Sequence, residues 1–285
     1  MRPLLIAGPT GAGKSAHALE AAAQGGVIIN ADASQVYEGW RILTARPDAA
    51  DEARAPHRLY GHVDPARPHS VGDWLRDLAA GIADAQGRGL RPILVGGTGL
   101  YFMAATEGLA PIPPTPPDVR EALTRRLTEE GLAALAAELS RRDPESAAAT
   151  DLKNPMRVAR ALEVLEATGR GIASWRASTP APLIARAERL LILPDRAALY
   201  DRLDRRFDAM LAAGALEEAR AMLARGLDPA LPSMKAIGAP ELFAHLAGEI
   251  SLEEAAARAR KATRNYAKRQ MTWFRNRMRD WPLRG

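Results

Sequence analysis

Four short apolar runs punctuate the chain, at residues 4–7, 27–29, 92–95 and 190–193, and the segments between them carry apolar residues at helical spacing. Strand-length runs alternating with helical stretches predict a parallel sheet with helices on both faces. Residues 111–117, PIPPTPP, break the pattern. Their prolines remove backbone donors and fix φ, so the segment reads as a stiff connector. A second breaker, STPAP, occupies residues 178–182. Between the two, residues 118–177 are charged, alanine-rich and helical in period, with Val158, Ala161, Leu162 and Leu165 on one face and Gly169 as a stop. The strand-like run at 190–193 follows this block, so the sheet resumes after an insertion. The expected architecture is an α/β core of residues 1–112 and 183–285, interrupted by an all-helical subdomain over 113–182. Residues 197–260 are helical again, broken near 226–233 and at Gly238-Ala239-Pro240, and should pack around the core.

The first strand runs straight into Gly8-Pro9-Thr10-Gly11-Ala12-Gly13-Lys14-Ser15, and an alanine-rich, helix-favouring segment follows. Strand, glycine-rich loop and helix in that order make a phosphate-binding loop. The glycines let the backbone turn tightly, so that consecutive amides and the helix's positive end converge on one diphosphate-sized anion. Lys14 then meets a terminal phosphate and Ser15 can hold Mg²⁺. In an open parallel sheet, ligands bind beyond the carboxyl ends of the strands. The residues after the second and third runs, Asn30-Ala31-Asp32 and Gly96-Gly97-Thr98-Gly99, therefore belong to the same cleft as Lys14 and Ser15. From position alone, Asp32 can be a helix cap, a ligand to metal-bound water or a general base, and Thr98 can be structural or functional.

Charge narrows the partner. The net charge is +5, but ten of the 39 Lys and Arg lie within residues 258–284 against a single acid, Asp280. A cationic segment on a slightly acidic body suits a polyanion held at one place. The chain has no cysteine, which excludes disulfides and thiolate metal sites and fits a reducing cytosol. No apolar stretch approaches the ~20 residues of a membrane span, and the N-terminal run reads as a first strand rather than a signal peptide. His17, His57, His62, His69 and His245 have no paired metal spacing and read as structural or solvent-facing.

Five strings follow the phosphate loop in order: DASQVY from Asp32, TARP from Thr44, PILVGGTGLY from Pro92, RALE from Arg160 and RNYAKRQMTWFR from Arg264. Together they resemble the tRNA dimethylallyltransferases over nearly the full chain. The resemblance implies a P-loop kinase-like core and transfer of a dimethylallyl group from dimethylallyl diphosphate to N6 of adenosine 37. That base lies beside the anticodon of tRNAs reading codons that begin with U. By similarity, Asp32 is the base that accepts the N6 proton, with Thr98 and Arg120 near the reacting groups. The stretch Asp32, Ala33, Ser34 and Gln35 contacts tRNA, the Gln35 amide holding the edge of the turned-out base. Further tRNA contacts are expected from Thr98, Arg120, Met156, Arg157, Val158, Ala159, Arg160, Lys235, Arg264, Lys268, Arg269 and Arg275.

The implied partners are the tRNA anticodon stem-loop and dimethylallyl diphosphate, with Mg²⁺ as cofactor, for a cytoplasmic monomer. The chain departs from the family pattern at Ala33, at Met156 and over Lys235-Ala236-Ile237-Gly238-Ala239-Pro240. Two other functions fit parts of the sequence. An ATP-dependent small-molecule kinase would use the same loop and a helical lid, but Val95 leads into glycines without a metal-holding aspartate. A nucleotide-switched RNA-binding module would explain the basic segment and leave Asp32 and Thr98 idle.

Overall fold

The structure is a computed structural model and describes residues 1–284. Its elements run β1 (Leu4–Ala7), α1 (Lys14–Ala22), β2 (Gly26–Asn30), α2 (Ala49–Arg54), β3 (His57–Arg58), α3 (Val71–Gly87), β4 (Arg91–Gly96) and α4 (Gly99–Glu107). A helical run follows: α5 (Pro117–Glu129), α6 (Gly131–Arg142), α7 (Pro144–Ala148), α8 (Pro155–Thr168) and α9 (Ile172–Ala177). The chain then continues through β5 (Glu188–Ile192), α10 (Arg196–Ala212), α11 (Ala215–Leu223), α12 (Ala239–Leu246), α13 (Leu252–Arg277) and β6 (Leu283–Arg284). These elements gather into two compact units, one formed by Met1–Thr106 together with the chain from Leu183 onward, the other by Glu107–Pro182.

In the first unit six strands pair in the order β3-β2-β4-β1-β5-β6, and every pairing is parallel. Because side chains alternate across a strand, each buried strand feeds both faces. Ile6, Ile28, Ile93 and Val95 pack with Leu19 and Ala22 of α1. Leu5, Val27, Ile29 and Leu94 pack on the other face with Trp74, Leu78 and Ile82 of α3 and Phe274 of α13. The four strands read from the sequence are β1, β2, β4 and β5. Two strands escaped that reading: β3 and β6 are two residues long and add only to the sheet's edges. The ends of β1, β2 and β4 lie side by side and launch the phosphate loop, the Asp32 loop and the Gly97-Thr98 turn from one edge.

The second unit has its own core, with Leu123, Leu135, Leu139, Val158, Leu162 and Ile172 fully or nearly fully buried. Its helix ends follow local chemistry. Pro117, Pro144 and Pro155 start α5, α7 and α8, where a missing N–H costs nothing. Asp143 and Asn154 cap their helices by accepting the Ser146 and Arg157 amides, and Gly169 closes α8 with φ 67°. The proline connector up to Pro116 has no regular structure.

Candidate active site

Between β1 and α1 the chain turns tightly through residues 8–13. Gly11 and Gly13 take φ 75° and 87°, a left-handed conformation that a side chain disfavours. Gly13 caps α1 without a side-chain acceptor, which leaves the first-turn amides open to an anion. Lys14 curls back and donates to the Pro9 carbonyl at 2.7 Å. Burial draws its pKa down to about 8, against the pull of Asp32, and nearby Arg206 lowers it further. Thr10, Gly11, Ala12, Gly13, Lys14 and Ser15 line a cavity of about 310 Å³, and Asp32, Ser34 and Gln35 line it too. Gly8 and Pro9 stand behind this wall, Gly8 close against β5, where a Cβ would meet the Ile192 carbonyl oxygen at 2.5 Å.

The loop after β2 is fixed from several sides. Buried Asn30 accepts the Asp32 amide at 2.8 Å and donates to the Asp32 and Leu59 carbonyls at 2.9 and 3.0 Å. Trp74 Nε1 donates to the Asn30 carbonyl at 2.9 Å, and its ring stacks on Tyr101 at 4.1 Å. Asp32 Oδ1 accepts the Ser34 amide and hydroxyl at 3.0 and 2.7 Å. Oδ2 lies against Gly97, where a Cβ would stand 3.1 Å from it. The carboxylate is therefore held at one oxygen by its own turn while it borders the cavity shared with Lys14. Gln35, expected to read a base edge with its amide, spends both N–H groups on the Thr44 and Ala45 carbonyls at 2.8 and 2.9 Å. That turn is pinned from behind, since Glu218 accepts the Ile42 and Leu43 amides, each at 2.8 Å. The donor half of Gln35 is thus structural.

Thr98 lies outside the cavity lining, with its hydroxyl oxygen accepting the Ala33 amide at 2.9 Å. It anchors the Asp32 loop to the end of β4. Gln270, which the sequence pattern alone does not single out, spans the site. Its Oε1 accepts the Thr10 amide and its Nε2 donates to the Gly97 carbonyl, each at 2.9 Å, at 6% exposure. The clue lay in α13 itself, where Gln270 falls on the apolar stripe of Ala267, Met271 and Phe274. A buried amide there needs two partners. Gln270→Ala leaves both partners unpaired and is expected to cost about 2–4 kcal/mol in chemical denaturation. Wild-type unfolding in that variant would contradict the clamp.

Other cavity residues also escape the sequence. Arg202 and Arg206 come from successive turns of α10, and Arg202 donates to the Gly11 carbonyl at 2.9 Å. Burial lowers the pKa of Arg206, with Asp32 opposing, so a guanidinium and a carboxylate share the cavity with Lys14. Tyr60 and Tyr266 line it as neutral phenols, their pKa values raised by burial first and by Asp32 second. Leu43, Leu203, Phe207, Met210 and Ile237 form an apolar wall.

The residues expected to meet RNA divide by exposure. Lys235, Lys268, Arg269 and Arg275 are exposed in the first unit, and Arg269 lies over the Tyr266 ring. Arg264 is engaged instead, both Asp204 oxygens accepting from it at 2.5 and 2.6 Å, and Arg260 donates to a single oxygen of Asp208. Acids of α10 thus neutralise part of the basic segment. In the helical unit Arg120, Met156 and Arg157 are exposed. Val158 and Ala159 are buried, Val158 in that unit's core, so neither offers an exposed side chain. Arg160 is tied to Thr115 at 2.6 Å and Glu163 at 3.0 Å.

Known proteins resemble this chain over nearly its full length. The IPP transferase family pattern matches residues 35–277. A tRNA dimethylallyltransferase of Cereibacter sphaeroides is 60% identical over 283 residues, covering 98% of this chain and 88% of its own. The full-length tRNA isopentenylpyrophosphate transferase of Bacillus halodurans superposes with TM-score 0.70 at 34% identity, over 99% of this chain and 89% of that one. A eukaryotic dimethylallyltransferase solved acting on tRNA gives TM-score 0.81 at 27% identity, over 95% of this chain and 69% of that one. With the phosphate loop, the Asp32 turn and the Gly97-Thr98 turn gathered at one sheet edge, and with this extent of identity, the chain belongs to the IPP transferase family.

Proposed function

We propose that this protein transfers the dimethylallyl group of dimethylallyl diphosphate to N6 of adenosine 37 in tRNAs reading codons that begin with U, releasing diphosphate. The observation that carries this reading is the single cavity bordered by the phosphate loop, by Asp32 and by an apolar wall. The open amides of the loop, Lys14 and Arg206 hold the diphosphate. The prenyl chain lies along Leu43, Phe207, Met210 and Ile237. The bond from C1 to the leaving oxygen breaks as N6 bonds to C1, and the N6 proton passes to the Asp32 carboxylate. An exocyclic amine is a weak nucleophile because its lone pair is delocalised into the purine, so a positioned proton acceptor raises the rate. Charge growing on the diphosphate meets groups already oriented to stabilise it.

Mg²⁺ fits the donors present, since the Ser15 hydroxyl supplies oxygen at the loop and the cavity lining contains no imidazole or thiol. When bound, the ion would neutralise charge on the departing diphosphate. A base inside a closed cavity must leave its stack, which fits an anticodon loop better than a duplex. Lys235, Lys268, Arg269 and Arg275 would contact tRNA phosphates on the core, with Arg120 and Arg157 on the helical unit. No helix among the described residues is long and apolar enough to cross a membrane. The protein acts as a cytoplasmic monomer in this reading.

Incubation with undermodified tRNA and labelled dimethylallyl diphosphate tests the reaction. Label entering the RNA supports transfer, whereas ATP-dependent phosphorylation of a small molecule without RNA labelling would replace it with kinase chemistry. Affinity for tRNA is expected to fall steeply between low and moderate salt, by about tenfold or more, as several counterions are displaced. A flat salt response would contradict phosphate contact by these cations.

A further inference from the structure

Outside the cleft, the fold brings together two histidines that the sequence leaves apart. His62 follows β3, His69 precedes α3 and Asp77 lies two turns into α3. Both imidazole Nε2 atoms approach the same carboxylate oxygen, Asp77 Oδ2, at 3.0 and 2.9 Å. All three donor atoms lie within 4.8 Å of one another. The rings meet edge to face with centroids 5.6 Å apart. The His69 side chain is only 8% exposed, whereas His62 and Asp77 are 28% and 38% exposed. One donor is thus fixed by packing, and the other two are partly exposed, within reach of an ion and a water from solvent.

We propose that His62, His69 and Asp77 form a binding site for a divalent transition-metal ion of the zinc type, separate from the diphosphate cavity. Two imidazole nitrogens and one carboxylate oxygen are the donors such ions prefer, and they discriminate against Mg²⁺, which favours oxygen. Donors around a tetrahedral zinc stand about 3.3 Å apart, from bonds of about 2.0 Å, so the two nitrogen–oxygen separations of 3.0 and 2.9 Å need only a small spreading. A water completes the coordination.

None of the three residues lines the cavity, so the ion's role is to fasten a loop rather than to act on substrate. It would tie the segment containing His62 and His69 to α3, where Trp74, one turn before Asp77, holds the Asn30 carbonyl beside the Asp32 turn. His69 Nδ1 is buried without a hydrogen-bond partner. A ligating histidine without an acceptor behind it binds about 10–100-fold more weakly, so micromolar rather than nanomolar affinity is expected.

The test titrates the metal-stripped full-length protein with Zn²⁺ by calorimetry and with Co²⁺ by visible absorption. One equivalent bound at a Kd on the order of micromolar, with a cobalt spectrum of tetrahedral type, is the expected result. Zinc should also raise Tm, since it binds the folded form. His62→Gln and Asp77→Asn change partly exposed positions and should each weaken zinc binding about tenfold or more, and Asp32→Asn should leave it unchanged. Absence of zinc binding overturns the proposal. So does binding that is unchanged in His62→Gln and Asp77→Asn, or binding lost in Asp32→Asn.

Discussion

Asp32→Asn is expected to lower the rate of transfer at saturating substrates by about 10²–10⁴-fold, the usual worth of a positioned general base. The substitution is nearly isosteric. Asparagine can still accept the Ser34 amide and hydroxyl through its carbonyl oxygen, so the turn that Asp32 now holds should survive. The network behind the turn uses the backbone of residue 32, which the change does not touch. Affinity for tRNA should therefore stay within about threefold of wild type, and the loss should appear in kcat. Single-turnover kinetics with saturating diphosphate substrate measure this directly. Near-normal turnover would remove Asp32 as the proton acceptor and return it to a turn-forming role.

Lys14→Ala should be comparably damaging through a different parameter. The ammonium is the cavity's compact cation beside the open amides, and removing one preorganised group of this kind costs about 10²–10³-fold in rate. Because Lys14 also holds the diphosphate in the ground state, its loss should raise KM for dimethylallyl diphosphate as well as lower kcat.

The depressed pKa of Lys14 adds a pH signature. With a pKa of about 8 in the ligand-free protein, the side chain is charged below that value and increasingly neutral above it. Accordingly kcat/KM for the diphosphate substrate should fall as pH rises through 8. Bound diphosphate favours the charged form, so the alkaline fall in kcat should come at higher pH than the fall in kcat/KM. In Lys14→Ala the alkaline limb of kcat/KM should disappear. A limb that persists there would assign it to another group.

The sheet was legible because four buried strands carry apolar runs and because each is followed by turn chemistry. The phosphate loop, Asp32 and Thr98 were legible from the same rule, which sends ligands to the carboxyl ends of strands. The rule locates residues without saying what their side chains touch. Thr98 and Gln35 both spend polar atoms on backbone, Thr98 on the Ala33 amide and Gln35 on the Thr44 and Ala45 carbonyls. Such partners are set by loop conformations that no short motif encodes. Arg202 and Arg206 escaped because the middle of α10, residues 201–208, is dense in charge, so two cavity-facing guanidinium groups are not distinguished by composition. Their spacing was the available signal, since positions four apart beside buried Leu199, Leu203 and Phe207 share one side of the helix.

The basic C-terminal helix shows the opposite failure. Its charge excess is real in sequence, but Asp204 and Asp208 lie some sixty and fifty residues earlier and meet Arg264 and Arg260 only once α10 and α13 pack together. On α8 the exposed positions Met156 and Arg157 run straight into Val158 and Ala159, whose side chains are buried. His62, His69 and Asp77 lack any metal-binding spacing along the chain, and the turn from β3 into α3 is what gathers them.

The central claim is that one cavity places a departing diphosphate and a proton-accepting carboxylate on either side of the same reacting carbon. A crystal structure with an unmodified anticodon stem-loop and an unreactive thio analogue of dimethylallyl diphosphate tests it most directly. The account predicts the diphosphate on the loop of residues 8–15 and adenosine 37 turned out of its stack, with N6 at about 3 Å from the Asp32 carboxylate and facing C1 of the prenyl chain. An adenine bound elsewhere, or a diphosphate held away from Lys14, would contradict it.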